Sequence, residues 1–397
     1  MHKLPYRLIF LLKRVENVRI PFSLPPITPR GAEYLTQVLS QQKMAGDGPF
    51  NKKCQAWLQD HFGAASVVLT PSGTSALEMA TLLLDLQPGD EVIVPTYTFT
   101  STASALAIFG VVPVFVDAEP YTLNLDPALI EQAITPKTKA ILVMHYAGVG
   151  CRMDQIMEIA QRRNLLVIED AAQAMGALYQ GQRLGTFGSV AAFSFHDTKN
   201  ITCGEGGLVV VNDPALVLRS EIVRDKGSNR RACLRGETDK YTWIDKGSSY
   251  LMGEFPAAYL WSQLENLDTI TQDRLATWNF YHEALEPLEC RGLLMRPKVP
   301  ADAQHNAHIY PIFLKTPEEA LHLKTCLQEA GITATGHYVP LHLSPAGLRF
   351  GRQGNASFEV ANDFSARLLR LPLYYGMTEG ERAHVVEAIK AYSISHS

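Results

Sequence analysis

The sequence predicts a doubly wound α/β fold, with a mostly parallel sheet in a large domain and a smaller C-terminal α+β domain after it. Three observations lead there. Seven short, near-continuously apolar runs lie between Ser66 and Asn212, as in strands buried on both faces. Amphipathic stretches such as SALEMATLLLDL and DQIMEIAQRR separate several of them, giving the strand–helix–strand repeat of a parallel sheet. A chain of 397 residues also exceeds one ordinary core, so two domains are expected.

Taken in order, the strands are expected at 66–70, 91–95, 112–117, 139–145, 165–170, 190–195 and 208–212. Near Phe255 the pattern changes to a long helix that carries the chain out of the first domain. The large domain is expected over 19–270 and the small one over 271–397. In the latter AHIYPIFL reads as a strand. Thr316 is an N-cap with Pro317 at N1 and Glu319 at N3, and Gly331 ends that helix. Thr378 and Glu381 form a second capping box before the last helix.

Residues 1–18 hold the short apolar run LIFLL between Lys3, Arg7, Lys13 and Arg14. The run is shorter than the roughly 7–15 apolar residues of a signal peptide, so the segment reads as a loose extension. No stretch approaches the roughly 20 apolar residues of a membrane span. The net charge of −4 with no long basic block gives no electrostatic reason to expect nucleic-acid or membrane partners. Six scattered cysteines without a CxxC pair suggest neither a zinc site nor a disulfide framework, and a reducing cytoplasm is the expected location.

Ligands of open α/β sheets bind beyond the carboxyl ends of the strands, and three groups sit at such ends. Ser72-Gly73-Thr74-Ser75 follows the first strand and opens a helix, where backbone N–H groups and the dipole favour a phosphate; taken alone, it is equally an ordinary N-cap. No Walker lysine stands beside it. Asp170 ends LLVIED; a buried carboxylate there needs a partner such as a protonated pyridine nitrogen, or else caps a loop. Lys199 lies in SFHDTKN before CGEGG. A lysine amine can join an aldehyde once burial or a neighbouring cation lowers its pKa; by itself it reads as a surface lysine. Gly204, Gly206 and Gly207 would let backbone pass close to a flat ring. Together the three groups match the layout of fold-type-I enzymes dependent on pyridoxal 5'-phosphate.

SGTSALEMA, PTYTFTSTASA, VIEDAAQA, SFHDTKN and GEGG resemble the DegT-type sugar aminotransferases, from about Pro21 to near the C-terminus. GDGPF, DKYTWIDKGSSYLM, HYVPLH and RLLRLPLYY are similar to the branch that forms a 4-amino-4,6-dideoxygalactose. The resemblance implies the fold type I architecture and pyridoxal phosphate as cofactor. It implies Lys199 as the Schiff-base lysine, Asp170 at the pyridine nitrogen, Phe99 on the ring face and Gln173 near the phenolic oxygen. It implies Gly73, Thr74 and Ser194 at the phosphate, with Ser75 a weaker neighbour. Ser249, where many members carry Asn, would reach the phosphate of a partner subunit, in a homodimer with shared sites. L-Glutamate and a nucleotide-linked keto sugar are the implied substrates.

Candidate substrate contacts are Arg231, Tyr241 and Trp243 in the basic loop KGSNRRACLRGETDKYTW, which read otherwise as a solvated loop charge and loop-anchoring aromatics, and Tyr338 and His342 in HYVPLH, which read either as pocket wall or as packed small-domain residues. Arg230 and Arg235 share that loop. His337 and His342 have a poor metal spacing, and His305 and His308 read as structural. A dehydratase on this fold can carry His in place of the Schiff-base lysine, so Lys199 argues for amination. A catalytically silent relative would have no need of Lys199, Asp170 and the phosphate cradle together, and no GxSxG elbow suggests a hydrolase.

Overall fold

Valine-rich runs of four or five apolar residues bury both faces of a strand, and each such run is a strand here. The computed structural model describes residues 19–395, so the expectation for residues 1–18 lies outside the described residues. We label β1 Ser66–Thr70, β2 Glu91–Pro95, β3 Val112–Val116, β4 Thr138–Met144, β5 Leu166–Asp170, β6 Val190–Ser194 and β7 Gly207–Val211. Two further strands, β8 Tyr310–Phe313 and β10 Leu368–Leu371, pair antiparallel in the C-terminal part, and β9 is Arg352–Gln353.

The large sheet has the order β1-β7-β6-β5-β4-β2-β3-β9. Pairs from β9 and β3 through to β6 are parallel, whereas β7 runs antiparallel to both β6 and β1. Side chains alternate between faces. Leu69, Ile93, Ile141, Val143 and Val167 pack under helices Gly31–Gln41, Pro49–Phe62, Met153–Arg163 and Glu254–Leu264. Val68, Val92, Val94, Leu142 and Ile168 pack on the other face under Gly73–Leu83 and Thr100–Ala107. The sheet is therefore covered on both sides, and mostly parallel.

The predicted long helix is two helices, Glu254–Leu264 and Leu267–Ala284, separated at Glu265–Asn266. Leu267 and Ile270 pack with the large sheet, while Trp278 and Tyr281 join a C-terminal hydrophobic cluster that also takes in Ile20. Both predicted caps form. Thr316 Oγ1 accepts from Glu319 N at 3.2 Å, and Thr378 Oγ1 from Glu381 N at 3.2 Å, each cap worth about 1 kcal/mol. No helix among the described residues is long and apolar enough to cross a membrane.

Candidate active site

Strands β6 and β7 are antiparallel neighbours, so residues 195–206 return over the carboxyl end of the sheet instead of crossing it. Phe195 N donates to Gly206 O (2.8 Å) and Cys203 N to Phe195 O (2.9 Å), which closes this loop at its base. Lys199 sits at its top, its N–H bonded to His196 O (2.9 Å). The glycines do a different job from the one expected. A Cβ on Gly207 would lie 2.3 Å from Ser72 O, and one on Gly206 2.4 Å from Cys203 Sγ. These two let protein pack on protein, and only Gly204, with φ +83° and open space around it, serves a turn.

Asp170 ends β5 and is 3% exposed. Its Oδ2 accepts from Thr102 Oγ1 at 2.7 Å and its Oδ1 from Ala172 N at 3.1 Å. Burial pushes its pKa up, against the opposing pull of those two donors and of Lys199. Among the described residues it forms no ion pair, so a cationic N–H from a ligand is the partner this carboxylate lacks. Lys199 shows the complementary perturbation. Burial, with a smaller push from Arg370 and against the pull of Asp170, lowers its ammonium to about 8. Roughly a tenth is thus free amine at pH 7, far more than for an ordinary lysine.

The phosphate cradle is built by close approach. Ser72 caps the helix Gly73–Leu83, its Oγ accepting from Ser75 N at 3.0 Å. The N–H groups of Gly73 and Thr74 have no turn before them to bond. A Cβ on Gly73 would lie 2.7 Å from Ser194 Cβ, so glycine brings the end of β6 against the helix start. Thr74 Oγ1 bonds Ser101 Oγ at 2.7 Å. Ser72, Thr74, Ser75, Ser101 and Ser194 therefore surround one helix N-terminus, a setting suited to an anion.

Phe99 stands before the helix Thr100–Ala107 and is 53% exposed, its ring 6.0 Å from that of Tyr338. Gln173 is fixed at both ends: Oε1 accepts from Ala147 N (2.7 Å) and Nε2 donates to Tyr338 Oη (2.8 Å). Lys199, Asp170, Gly73, Thr74, Phe99, Gln173, Ser194 and Tyr338 all line one cavity of about 550 Å³. The donor set fits pyridoxal phosphate: an anion cradle, an amine of lowered pKa, a buried carboxylate and an exposed aromatic face.

The model of the DegT/DnrJ/EryC1/StrS aminotransferase family matches residues 26–390. The chain belongs to this family. Members related to it include a GDP-perosamine synthase of Caulobacter vibrioides, 32% identical over 94% of this chain and 97% of the relative. Among solved structures, DesV of S. venezuelae is 32% identical with a TM-score of 0.85, covering 94% of this chain and 98% of that one. The PLP form of the sugar aminotransferase Spr1654 of Streptococcus pneumoniae is 26% identical with a TM-score of 0.86, covering 95% and 99%. As a DegT-family member the chain is a sugar aminotransferase of fold type I, and pyridoxal phosphate is its cofactor.

In this DegT-family chain, five residues expected at the site do not line its own cavity. His342 is a correction. Its Nδ1 pairs with Thr96 Oγ1 at 2.6 Å and its ring stacks on Phe358 at 3.9 Å, so the 3₁₀ turn Leu341–Leu343 turns it into the core. Arg231 is held by Asp47 (3.0 Å) and Glu221 (3.5 Å). Tyr241 and Trp243 are exposed, at 62% and 78%. Ser249 bridges to Asp225 beside the same loop.

Two residues of the site have no signal of their own in the sequence: Thr102, which supports Asp170 from behind the cavity as one hydroxyl in a run of them, and Arg370, which lines the cavity from β10. His337 also lines it and hydrogen-bonds Tyr146 Oη through Nδ1 at 2.7 Å. His308, expected to be structural, does hydrogen-bond Asn200 Oδ1 (2.9 Å), yet it also lines the cavity.

Proposed function

We propose that the chain transfers the amino group of L-glutamate to dTDP-4-keto-6-deoxyglucose, giving dTDP-4-amino-4,6-dideoxygalactose. The observation that carries the chemistry is the meeting of Lys199 and Asp170 in one cavity, each perturbed by burial and each influencing the other. The substrate assignment is supported by the likeness of DKYTWIDKGSSYLM and HYVPLH to the dideoxygalactose-forming branch.

Bound in the cavity, pyridoxal phosphate supplies an aldehyde that takes up an amino group and a ring that draws electrons from the adjoining carbon. The chain's residues do the rest. Gly73, Thr74 and Ser194 hold the phosphate. Asp170, whose ionised form is favoured by the bonds from Thr102 and Ala172, would hold the ring nitrogen protonated. Phe99 covers one ring face, and Gln173 stands near the phenolic oxygen. Lys199 would anchor the cofactor, and its Nζ as free amine would take a proton from the donor's α-carbon and return one to the adjoining carbon, acting as general base and acid. The two substrates enter in turn, a ping-pong order in which one amine does both proton transfers.

Tyr241, Trp243, Arg231 and Ser249 support a second element of this reading, a homodimer with shared sites. They fail to line the cavity of their own chain, and two of them are largely exposed aromatics. We assign them to the neighbour's site.

The test is to load the enzyme with pyridoxal phosphate and supply glutamate and the 4-keto sugar. Glutamate should bleach the yellow cofactor, and NMR of the product should show an axial C4 amine. An equatorial amine removes the galacto assignment alone. Efficient use of a 3-keto sugar instead removes the regiochemistry, and loss of the sugar hydroxyl without amination would mean a dehydratase.

A further inference from the structure

We propose that His308 and Asn306 are positioning residues that hold the Lys199 and Gln173 loops in register; this rests on Lys199 as the Schiff-base lysine. Asn200, the residue after Lys199, is buried, and both ends of its amide are taken. Its Nδ2 donates to Asn306 O at 2.8 Å, and its Oδ1 meets His308 Nδ1 at 2.9 Å. The Asn306 carbonyl fixes which end of the amide is nitrogen, and Oδ1 can only accept. His308 therefore carries its proton on Nδ1. Burial pushes its pKa well below the usual histidine range, so at neutral pH it is an uncharged donor of fixed tautomer.

The same short segment reaches the second loop. Asn306 Nδ2 donates to Gln173 O at 2.8 Å and to Met175 O at 2.9 Å. Its packing is close: a Cβ on Gly148 would lie 1.9 Å from Asn306 Oδ1. Ala147, beside that glycine, donates its N–H to Gln173 Oε1 at 2.7 Å. Main chain and side chain of Gln173 are thus both set here. Residues 306–308 are anchored in turn by Arg274, which donates to Ala307 O (3.1 Å) and His308 O (2.7 Å). Arg274 belongs to the helix Leu267–Ala284, which packs with the large sheet at one end and with the C-terminal cluster at the other. Ala307 holds a φ of +51°, a left-handed backbone that a non-glycine residue keeps only where its surroundings enforce it.

Packing alone does not require this arrangement. Asn200, Asn306 and His308 are all buried, at a desolvation cost that apolar side chains of similar size would avoid. Asn306 Oδ1 is even left without a hydrogen-bond partner among the described residues. What the network secures is a fixed relation between two residues that line the cavity, Lys199 and Gln173. On the assignment above, Lys199 is both the cofactor's anchor and the free amine that moves a proton. As anchor its tip is held by the cofactor. As free amine it is held only through its own loop, which hangs on Asn200. Proton transfer depends on close placement, and an error of about 1 Å costs roughly a hundredfold. The network holds the loop from the side of Asn200 and leaves the amine itself free to react.

The experiment uses full-length protein as wild type, H308L, which loses the donor, and H308N, whose amide nitrogen can replace Nδ1. Hydrogen exchange is measured first, on the cofactor-free protein. Exchange over residues 195–206, relative to the sheet, should rise roughly tenfold in H308L and stay near wild type in H308N. Each protein is then loaded with pyridoxal phosphate, and single-turnover bleaching is followed against L-glutamate concentration. The rate constant at saturating glutamate should fall roughly tenfold to hundredfold in H308L. Half-saturating glutamate should change far less, and H308N should recover most of the rate. A fully loaded H308L that bleaches at the wild-type rate overturns the proposal, whatever its melting temperature. So does faster exchange spread evenly over the sheet, or an H308N as slow as H308L. Should H308L not fold, Asn200→Ser, which loses the same hydrogen bond from the other side, decides on the same two measurements. If borohydride fixes the cofactor of the wild type to a lysine other than Lys199, the Schiff-base assignment fails and this inference with it. Fixation at Lys199 with an indifferent H308L removes this inference alone.

Discussion

Thr102→Val tests the part of the site that the sequence did not announce. Thr102 Oγ1 donates to Asp170 Oδ2 at 2.7 Å, and both side chains are buried. Valine keeps the shape and removes the donor. A hydrogen bond to a charged group is worth about 1.5–3 kcal/mol. The loss falls mainly on the cofactor-bound state. Burial already raises the pKa of Asp170, so in the empty site a carboxyl that loses a donor can take up a proton. Beside a protonated ring nitrogen it must stay ionised. Cofactor affinity should therefore drop by roughly tenfold to hundredfold, while the melting temperature of the cofactor-free protein changes little. Thr102 Oγ1 also bonds Thr98 Oγ1 at 2.7 Å, so Thr102→Ser, which keeps the hydroxyl, is the control. Dialysis against graded pyridoxal phosphate, followed by absorbance, gives both affinities. In a D170N background the same substitution should lose most of its effect. If T102V and T102S bind cofactor equally well, the hydrogen bond is incidental and the reasoning fails.

Other perturbations follow from the same charges. Capture of pyridoxal phosphate by the cofactor-free protein needs the unprotonated amine, so its rate should climb with pH around a midpoint near the Lys199 value of about 8; a midpoint near an ordinary lysine's 10.5 or so would contradict the burial argument. Lys199→Ala should abolish turnover, and borohydride should no longer fix cofactor to the protein; fixation at wild-type yield would place the anchor on another lysine. Mixing Lys199→Ala with a Trp243→Ala, Ser249→Ala double variant should recover activity through hybrid dimers. No recovery after demonstrated subunit exchange would show each site to be built from one chain. Asp170→Asn should raise the stability of the cofactor-free protein at neutral pH. The folded-state pKa of Asp170 is raised, so ionisation disfavours the fold above the unfolded value and the penalty disappears as pH falls below it. A denaturant midpoint unchanged at pH 7 would refute this.

What was legible in the sequence follows from burial. Strands covered on both faces read as unbroken apolar runs, and β1 to β7 lie within a residue or so of their expected places. β9 could not be read: it is two residues, Arg352 and Gln353, held at the sheet edge by the Arg352–Glu91 ion pair at 2.7 Å. The break at Glu265–Asn266 escaped notice because neither residue is Gly or Pro. Lys199 and Asp170 were legible because chemistry restricts what can stand at a strand end. Thr102 was lost among the hydroxyls of TYTFTSTAS, and Arg370 beside Arg367 in RLLRL, since only the fold tells which one faces inward. Of the two readings left open for His342, pocket wall or packed residue, the structure takes the packed one, because a turn that no local signal marks directs it to Thr96 and Phe358.

The unmatched charges explain why these residues gather where they do. Glu169, next to Asp170, is fully buried too, yet it accepts from Gly185, Phe187 and Gly188 N–H groups at 2.7 Å each and from His145 at 3.0 Å. Its requirements are met by the fold. Among the described residues Asp170, on the opposite face of the same strand, has two donors and no ion pair, and neither Lys199 nor Arg370 forms an ion pair. A fold optimised for stability alone would pair or remove all three. On the proposed function, Asp170 and Lys199 are completed from outside by the cofactor. The cavity therefore holds charges that a ligand can match, and binding should stabilise the native state more strongly the tighter it is. The side-by-side residues Glu169 and Asp170 thus divide the two roles: one carboxylate holds the scaffold, the other waits for a ligand.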